Sequence, residues 1–568
     1  MRVLNLVVGV LLVLLATTFF WFIYSLAVNI PYIDDYAFFD YTLRLIDAPS
    51  IGEFWKVLWA QHGGHRIVLT KLSFLIQYLL TGEINYRQKI LIETFFIWSF
   101  FWLFWYVFRK NSIPFFYLLP VGFILFSPIY YQDIFWNMTA WQHAGSTLLI
   151  TLCFYFLCLS RRHSFLIALL FGVMVTFNNG NGWLSLFIGG GLLLLQKRNK
   201  RAVIWLIFCA VLSLVHLTDS AQELHGTFSA KYFFQTLCVF LGSIFFFVRG
   251  NQSDNFYGGL GLLGAGLLLM ILLLSVYLKL VRNNKLAITI SHKITSHAIN
   301  LAILGLTACM IFTAIGAGLL RQSKGFVVWP HYMIYSVFTA LCIYALTIVL
   351  LPNKYRMMAG VSGVLFSMLI EIGGILFAFP DAVVFRKQLI SDAFKLKNEK
   401  VNKKPLTYIN PISIGKSRYS EMVARGMYHL PPTPLDELSA QVFGEIIDTS
   451  LTPSVDMLLQ IQTETGSGRT IGLSNQKLFA GESHSVYVLL KNKEEVYLIA
   501  PKPGLLSNRR TLLRSGKIYQ DGFSIDLFRT NYTSGNYQLG LILPIDKGFR
   551  VVYTSQQITI KNPDPGKD

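Results

Sequence analysis

Residues 3–36 read VLNLVVGVLLVLLATTFFWFIYSLAVNIPYIDDY. Residues 3–28 carry no charge and no proline. That run exceeds the roughly 20 apolar residues a helix needs to cross a bilayer. Only Met1 and Arg2 precede it, it is too long for a signal-peptide core, and it lacks a small-residue cleavage site. It reads as an uncleaved first span with a cytoplasmic N-terminus. Pro31 ends the run, and two adjacent carboxylates, Asp34 and Asp35, follow where the chain leaves the apolar layer.

The rest of the composition agrees. Of 568 residues, 54% are hydrophobic, 15% aromatic and 14% charged, against about 25% charged in a soluble domain. This excludes a soluble globular or disordered chain. The net charge of +19 would suit nucleic acid, but its placement argues for membrane orientation and no nucleic-acid partner. Apolar runs near 67–81, 88–108, 114–128, 144–160, 164–178, 183–196, 202–217, 232–248, 256–281, 298–320, 332–351 and 357–379 bring the candidates to thirteen. If 67–81 and 232–248 lie in the interface, eleven spans remain. The basic, acid-free loops around Arg109-Lys110, Arg161-Arg162, Lys197–Arg201, Arg282–Lys293 and Lys354–Arg356 then share one side, as the positive-inside rule asks. Either count is odd and leaves the C-terminal region outside. The six cysteines all fall in apolar runs, so no disulfide framework is expected.

The expected fold is therefore an α-helical polytopic membrane protein in a bacterial inner membrane, with a transmembrane part over 1–380. Residues 36–47 and 53–60 carry aromatic and aliphatic side chains at helical spacing and read as short amphipathic helices on the outer face. Residues 381–452 are polar, Lys-rich and Pro-punctuated and read as a linker with some helix. Residues 453–561 turn to β-pattern, with strands over Ser485–Leu490, Glu495–Ile499, Phe523–Phe528, Tyr537–Leu543 and Arg550–Tyr553 and turns at Asp521-Gly522 and Ser534–Asn536. That spacing predicts a small β-sandwich. Residues 562–568 form a frayed tail.

Five outer constellations can carry chemistry. Asp34 and Asp35 lose hydration at the membrane face and need a cation, a metal or a job as a base; a solvated acidic helix end is the bland alternative. His62, His65 and Arg66, around Gly63-Gly64, suit phosphate, or else a polar interfacial cap. Gln132, Asp133 and Trp136, with Trp141 to His143 beyond, offer the flat rings and amides of a sugar platform, or an ordinary aromatic belt. Asn178–Gly182 is explained by a tight helical hairpin. Arg321, Lys324 and His331 place cations outside, where an anion would explain them; Arg321 at a helix C-terminus is the alternative. Glu93 and Glu371 lie within spans, where a carboxylate is by default a functional hypothesis. No phosphate-binding loop, dinucleotide fingerprint or nucleophile elbow is present.

Through Pro31–Tyr36, the loop 29–66, the interfacial run 67–81 and the span 88–108 ending in Arg109-Lys110, the chain resembles the GT-C superfamily of multi-span glycosyltransferases. More narrowly, through Tyr32–Tyr36, Gln61–Arg66, Phe126–Trp136, Asn181–Trp183 and Arg321–Tyr332, it looks like a group of bacterial GT-C-like membrane proteins, the resemblance covering about residues 20–380. It departs from that group at His331-Tyr332, where an Arg-Tyr pair is usual, and at Gln132-Asp133, where a Glu-Asn-like pair is usual. The resemblance implies a transferase of the cell envelope that uses a polyprenyl-phosphate sugar and an extracytoplasmic glycan or lipid-linked acceptor. Arg66, Arg321 and Lys324 would hold the phosphate, and Asp34 or Asp35 would act as base, with inversion. No cofactor is required; a divalent metal (Mg, Mn or Ca), if used, would fall to Asp34 and Asp35. Two alternatives compete. A flippase or transporter for a lipid-linked glycan suits the Gly-interrupted run 183–196, but no inverted repeat is visible. An O-antigen-type polymerase or ligase would use arginines in a large outer loop, and here that loop is acidic.

Overall fold

The computed structural model describes residues 2–63, 65–180, 182–218, 228–245, 295–321, 330–398, 416–443, 458–462, 470–478, 480, 486–505, 514–515, 519–546 and 548–561. The expected span 256–281, Lys324, Asn181, Asp456 and the tail lie outside them. The chain forms two compact units. One comprises Met1–Ser25, Tyr41–Thr81 and Gln88–Ala378; the other comprises Leu26–Asp40, Gly82–Arg87 and Phe379–Asp568. One join falls between Ala378 and Phe379, and two short segments, Leu26–Asp40 and Gly82–Arg87, group with the C-terminal part.

The first unit is helical. Among the described residues, seven helices are long and apolar enough to cross a membrane: Arg2–Leu26, Tyr86–Lys110, Phe115–Phe135, Asn199–Leu217, Ala298–Leu319, Met333–Leu350 and Asn353–Asn398. Val68–Thr81, Ser164–Thr176, Gly182–Leu195 and Ala230–Phe245 are apolar but shorter. These lengths make the chain compatible with a helical membrane protein. Many large apolar side chains on these helices, such as Trp21, Leu170 and Leu214, point outward, as lipid-facing residues do. All six cysteines are free thiols.

Two short helices, Ala37–Ile46 and Ile51–Trp59, form where helical spacing predicts them. Ser50 caps the second by accepting from the Glu53 amide at 3.2 Å, satisfying one of the amides a helix start leaves open. Leu45, Val57, Leu58 and Leu75 form one small core, so these helices pack on Val68–Thr81 through their apolar stripes.

The second unit ends in two four-stranded antiparallel sheets. One has the order β10-β9-β5-β6 and the other β3-β4-β8-β7. Their ranges are β3 Gln460–Gln462, β4 Thr470–Asn475, β5 Tyr487–Lys491, β6 Val496–Ile499, β7 Lys502–Leu505, β8 Tyr519–Phe528, β9 Gly535–Ile545 and β10 Gly548–Ile560. Alternate residues of both sheets, among them Leu473, Val488, Ile525, Leu539 and Leu541, share one buried core, the arrangement of a sandwich. Asp521-Gly522 is not a turn. Gly522 sits inside β8 at φ +101°, and the β7 pairing shifts register there, from Pro503 opposite Phe523 to Gly504 opposite Gln520. The Asp-Gly pair makes a bulge rather than a strand end.

The stretch read as a linker begins with a helix, Phe379–Asn398. It covers β6, which would otherwise be an open sheet edge. Gln388 donates to the Leu498 carbonyl at 3.3 Å and accepts from the Ala500 amide at 3.1 Å, and Ser391 donates to the Leu498 carbonyl at 2.6 Å. Lys387, fully buried, donates to the Val486 carbonyl at 3.2 Å. Polar residues that look solvated in the sequence thus saturate an edge strand, a common guard against edge-to-edge pairing.

Candidate functional site

In the second unit, Ile33–Tyr36 forms a single 3-10 turn. Ile33 holds φ at +43°, a conformation costly for a β-branched residue and often found where function demands a fixed geometry. The turn separates the two carboxylates. Asp35 is fully buried, and its Oδ2 accepts from the Tyr32 amide at 3.2 Å; the Tyr86 hydroxyl donates to the Asp35 carbonyl at 3.0 Å. Asp34 stays half-buried. Beside them the Tyr36 hydroxyl is buried and has no hydrogen-bond partner among the described residues. Burial foremost, then Tyr428, Tyr419, Asp392 and Asp35, hold its pKa well above the usual phenol range, so Tyr36 remains a neutral donor. Asn29 anchors the segment. It donates to the His429 carbonyl at 3.0 Å and accepts from the Tyr86 amide at 2.8 Å, while Tyr428 donates to the Asn29 carbonyl at 2.9 Å. Arg418 pairs with Asp40 at 2.9 Å.

In the first unit, three of the sequence constellations meet. Gln61-His62 and His65-Arg66 are β1 and β2, a two-strand hairpin with Gly63 at φ +56°, the conformation a tight hairpin turn needs. The His65 ring lies so close to Gly180 that a Cβ there would overlap it. The Val68 amide donates to the Phe177 carbonyl at 2.9 Å. The loop after Phe177 reaches onward. Asn178 donates to the Trp141 carbonyl and Ser146 hydroxyl, both at 2.8 Å, and Asn179 donates to the Gln142 carbonyl and, at 3.1 Å, to the Tyr335 hydroxyl. Asn178 and Asn179, in a stretch assigned to hairpin geometry alone, are therefore the joint between two site segments.

Beyond that joint lies the aromatic segment. Ala140–Gly145 is a π-helical turn, a form often found at functional sites. It aims His143 at Asp133, with Nδ1 to Oδ1 at 2.8 Å, while the His331 carbonyl sits 3.0 Å from the same nitrogen. Two acceptors fix the proton on Nδ1. His331 stacks on His143 at 5.7 Å and meets Trp136 edge-on at 4.9 Å. Gln132 is half-buried beside them. His143, at the far end of the aromatic segment, and Tyr335 are thus central. The signal for His143 was its place in the same aromatic segment; nothing in the run Met333–Leu350 marks Tyr335.

Arg66 does not present its guanidinium outward as a phosphate ligand would. It is buried, donating to the Trp59 and Thr218 carbonyls, each at 2.8 Å, over the Trp59 ring at 5.6 Å. Arg66 joins chain segments 152 residues apart. His62 pairs with the Tyr41 hydroxyl at 3.2 Å. Nearby Lys71, buried, donates to the Val57, Leu58 and Ala60 carbonyls and sits 4.2 Å from the Tyr41 ring centre. Burial, then Arg44 and Arg66, pull its pKa down to about 7. Arg321 is the last residue of the helix Ala298–Arg321; its side chain, like Lys324, lies outside the described residues. Glu371 is buried beside Ser127.

Among the described residues no group of three His, Cys, Asp or Glu side chains converges, and Asp35 Oδ2 accepts from the Tyr32 amide. Comparison with protein-family models, with curated proteins and with solved structures finds no match.

Proposed function

We propose that this chain is an integral membrane glycosyltransferase that moves a sugar from a polyprenyl-phosphate donor to an extracytoplasmic glycan or lipid-linked acceptor. The observation that carries this reading is the Ile33–Tyr36 turn. It locks Asp35 inside, leaves Asp34 half-buried, and sets an unsatisfied Tyr36 hydroxyl beside them, directly after the first apolar helix. A base and a neutral donor at the end of a candidate span suit an acceptor that arrives from water and a donor that arrives from lipid. In the reaction, Asp34 takes the proton of the acceptor hydroxyl. The acceptor oxygen bonds to the anomeric carbon, and the bond from that carbon to the phosphate oxygen breaks with inversion. Polyprenyl phosphate leaves with the electron pair. Asp35 positions the turn, and no step requires a metal. In the first unit, taken by itself, His331, Trp136 and Gln132 offer rings and an amide that suit a sugar, and Asp133 orients His143.

Orientation with the N-terminus inside and the sandwich outside belongs to the same proposal, on the acid-free basic loops. The test is turnover of radiolabelled polyprenyl-phosphate sugars by the purified protein in detergent. Release of polyprenyl phosphate supports a transferase; movement of intact donor across proteoliposomes without release favours the flippase reading. The two buried acids inside apolar helices, Glu93 and Asp133, are the observation that keeps that second reading alive.

A further inference from the structure

The first unit contains a small cavity of about 20 Å³ between the helix Tyr86–Glu93, the start of Phe95–Lys110 and the segment Tyr131–Gly145. Glu93 and Asp133 both line it; its other walls are isoleucines, Ala140, Ala144 and Thr94. Each carboxylate also belongs to an ion pair. Glu93 lies 2.7 Å from Lys89, whose ammonium donates to the Ser73 hydroxyl at 2.8 Å. Asp133 lies 2.8 Å from His143. Glu93 and Asp133 are both more than nine-tenths buried. The Lys89 ammonium and the Trp141 indole face Glu93, but neither of its oxygens reaches full hydrogen-bond geometry with a described group.

Charge and space point to one occupant. Two buried carboxylates face one cavity, with Lys89 and His143 as their partners. Like charges sharing one site repel, and one shared proton removes the repulsion. The cavity exceeds the volume a single water needs, and it offers polar partners on two walls.

We infer that this cavity holds water that joins Glu93 and Asp133 into one proton-sharing unit, giving the chain a buried proton site distinct from the Asp34 turn. The exchange balances: protonated Glu93 gives its proton to the water oxygen, and the water passes one of its own to Asp133. Other titratable groups facing the unit are Lys89 and His143, with Tyr130, Tyr332, Tyr335 and His331 around the Asp133 end. The inference does not depend on sugar transfer.

The test is infrared spectroscopy of the full-length protein in lipid nanodiscs, following protonated-carboxyl bands through a pH titration and an H₂O/D₂O exchange. A protonated-carboxyl band should be present and should titrate with pH. Asp133→Asn should move the midpoint of the Glu93 band by about one pH unit or more, since interacting sites titrate as a pair. Ala144→Val touches neither acid but fills the cavity; it should slow deuterium exchange of the band at least tenfold. It keeps the proposal testable should Asp133→Asn fail to fold. Absence of a titrating band, a Glu93 midpoint unmoved by Asp133→Asn, or unchanged exchange in Ala144→Val would each overturn it.

Discussion

Replacing Asp35 should damage the fold, whereas replacing Asp34 should damage only chemistry. Asp35 is fully buried and its Oδ2 holds the Tyr32 amide at 3.2 Å. Asp35→Ala deletes that charge-assisted bond and leaves a buried N–H unpaired, a loss of about 1–3 kcal/mol. Removing a buried carboxylate returns part of its desolvation cost, so the net loss should be about 2 kcal/mol. For a unit of this size that is a fall in melting temperature of roughly 4–8 °C. Asp34 is half-buried, so Asp34→Ala should cost less, about 1 kcal/mol. Ile33→Gly supplies a control of opposite sign: glycine accepts φ +43° without strain, and the melting temperature should hold or rise despite the lost side chain. The assay is thermal unfolding of the purified full-length protein in one detergent, with all variants side by side. Equal destabilisation by Asp34→Ala and Asp35→Ala, or none by Asp35→Ala, would refute the division of labour.

Three further outcomes are expected. Between pH 7 and 10.5 the unfolded chain keeps the Lys71 proton that the folded chain, with its pKa near 7, has released; stability should therefore rise with pH across that window, by at most about 1.4 kcal/mol per pH unit, and Lys71→Met should remove the slope in denaturant titrations at pH 7, 8 and 9. A Cβ at residue 182 would overlap the Val175 carbonyl oxygen, so Gly182→Ala should cost about 1–3 kcal/mol and lower the melting temperature. Gln388→Ala should strip the cover from β6, and hydrogen exchange at the Ala500 amide should quicken at least tenfold, the equivalent of about 1.4 kcal/mol.

Most of the architecture was visible where one period dominates. The helix Arg2–Leu26 follows from a run without breakers, and β5, β8 and β9 from alternation over long segments. The short strands β3, β4 and β7 were missed. Thr470–Asn475 and Lys502–Leu505 carry Gly and Pro that read as loop, and they become strands only because β8 offers a partner. Asp521-Gly522 misled for a related reason: positive φ serves a bulge as well as a turn. Residues 379–398 look like solvated linker because Lys387, Gln388 and Ser391 are polar; their partners are backbone groups about a hundred residues away.

The candidate site was legible as residue types but not as roles. Sequence gives Asp34 and Asp35 equal standing, and only the turn shows that one caps the backbone. Arg66 reads as a phosphate ligand from its type and setting, yet its partners are two main-chain carbonyls, one of them 152 residues away. The pairing of Asp133 with His143 depends on a π-turn that shifts the helical phase by one residue, a distortion no periodicity reveals. Tyr335 enters through Asn179 and through the His143 ring, 5.1 Å away.

The account's central claim is that Asp34 takes a proton from the acceptor during sugar transfer. The direct measurement is the single-turnover rate of transfer from a polyprenyl-phosphate sugar by wild type and by Asp34→Asn, at matched folding and detergent. An amide keeps the shape of the carboxylate but accepts no proton, so the rate should fall on the order of 10²–10⁴-fold, while donor binding stays within about threefold. A fully active Asp34→Asn protein would contradict the claim.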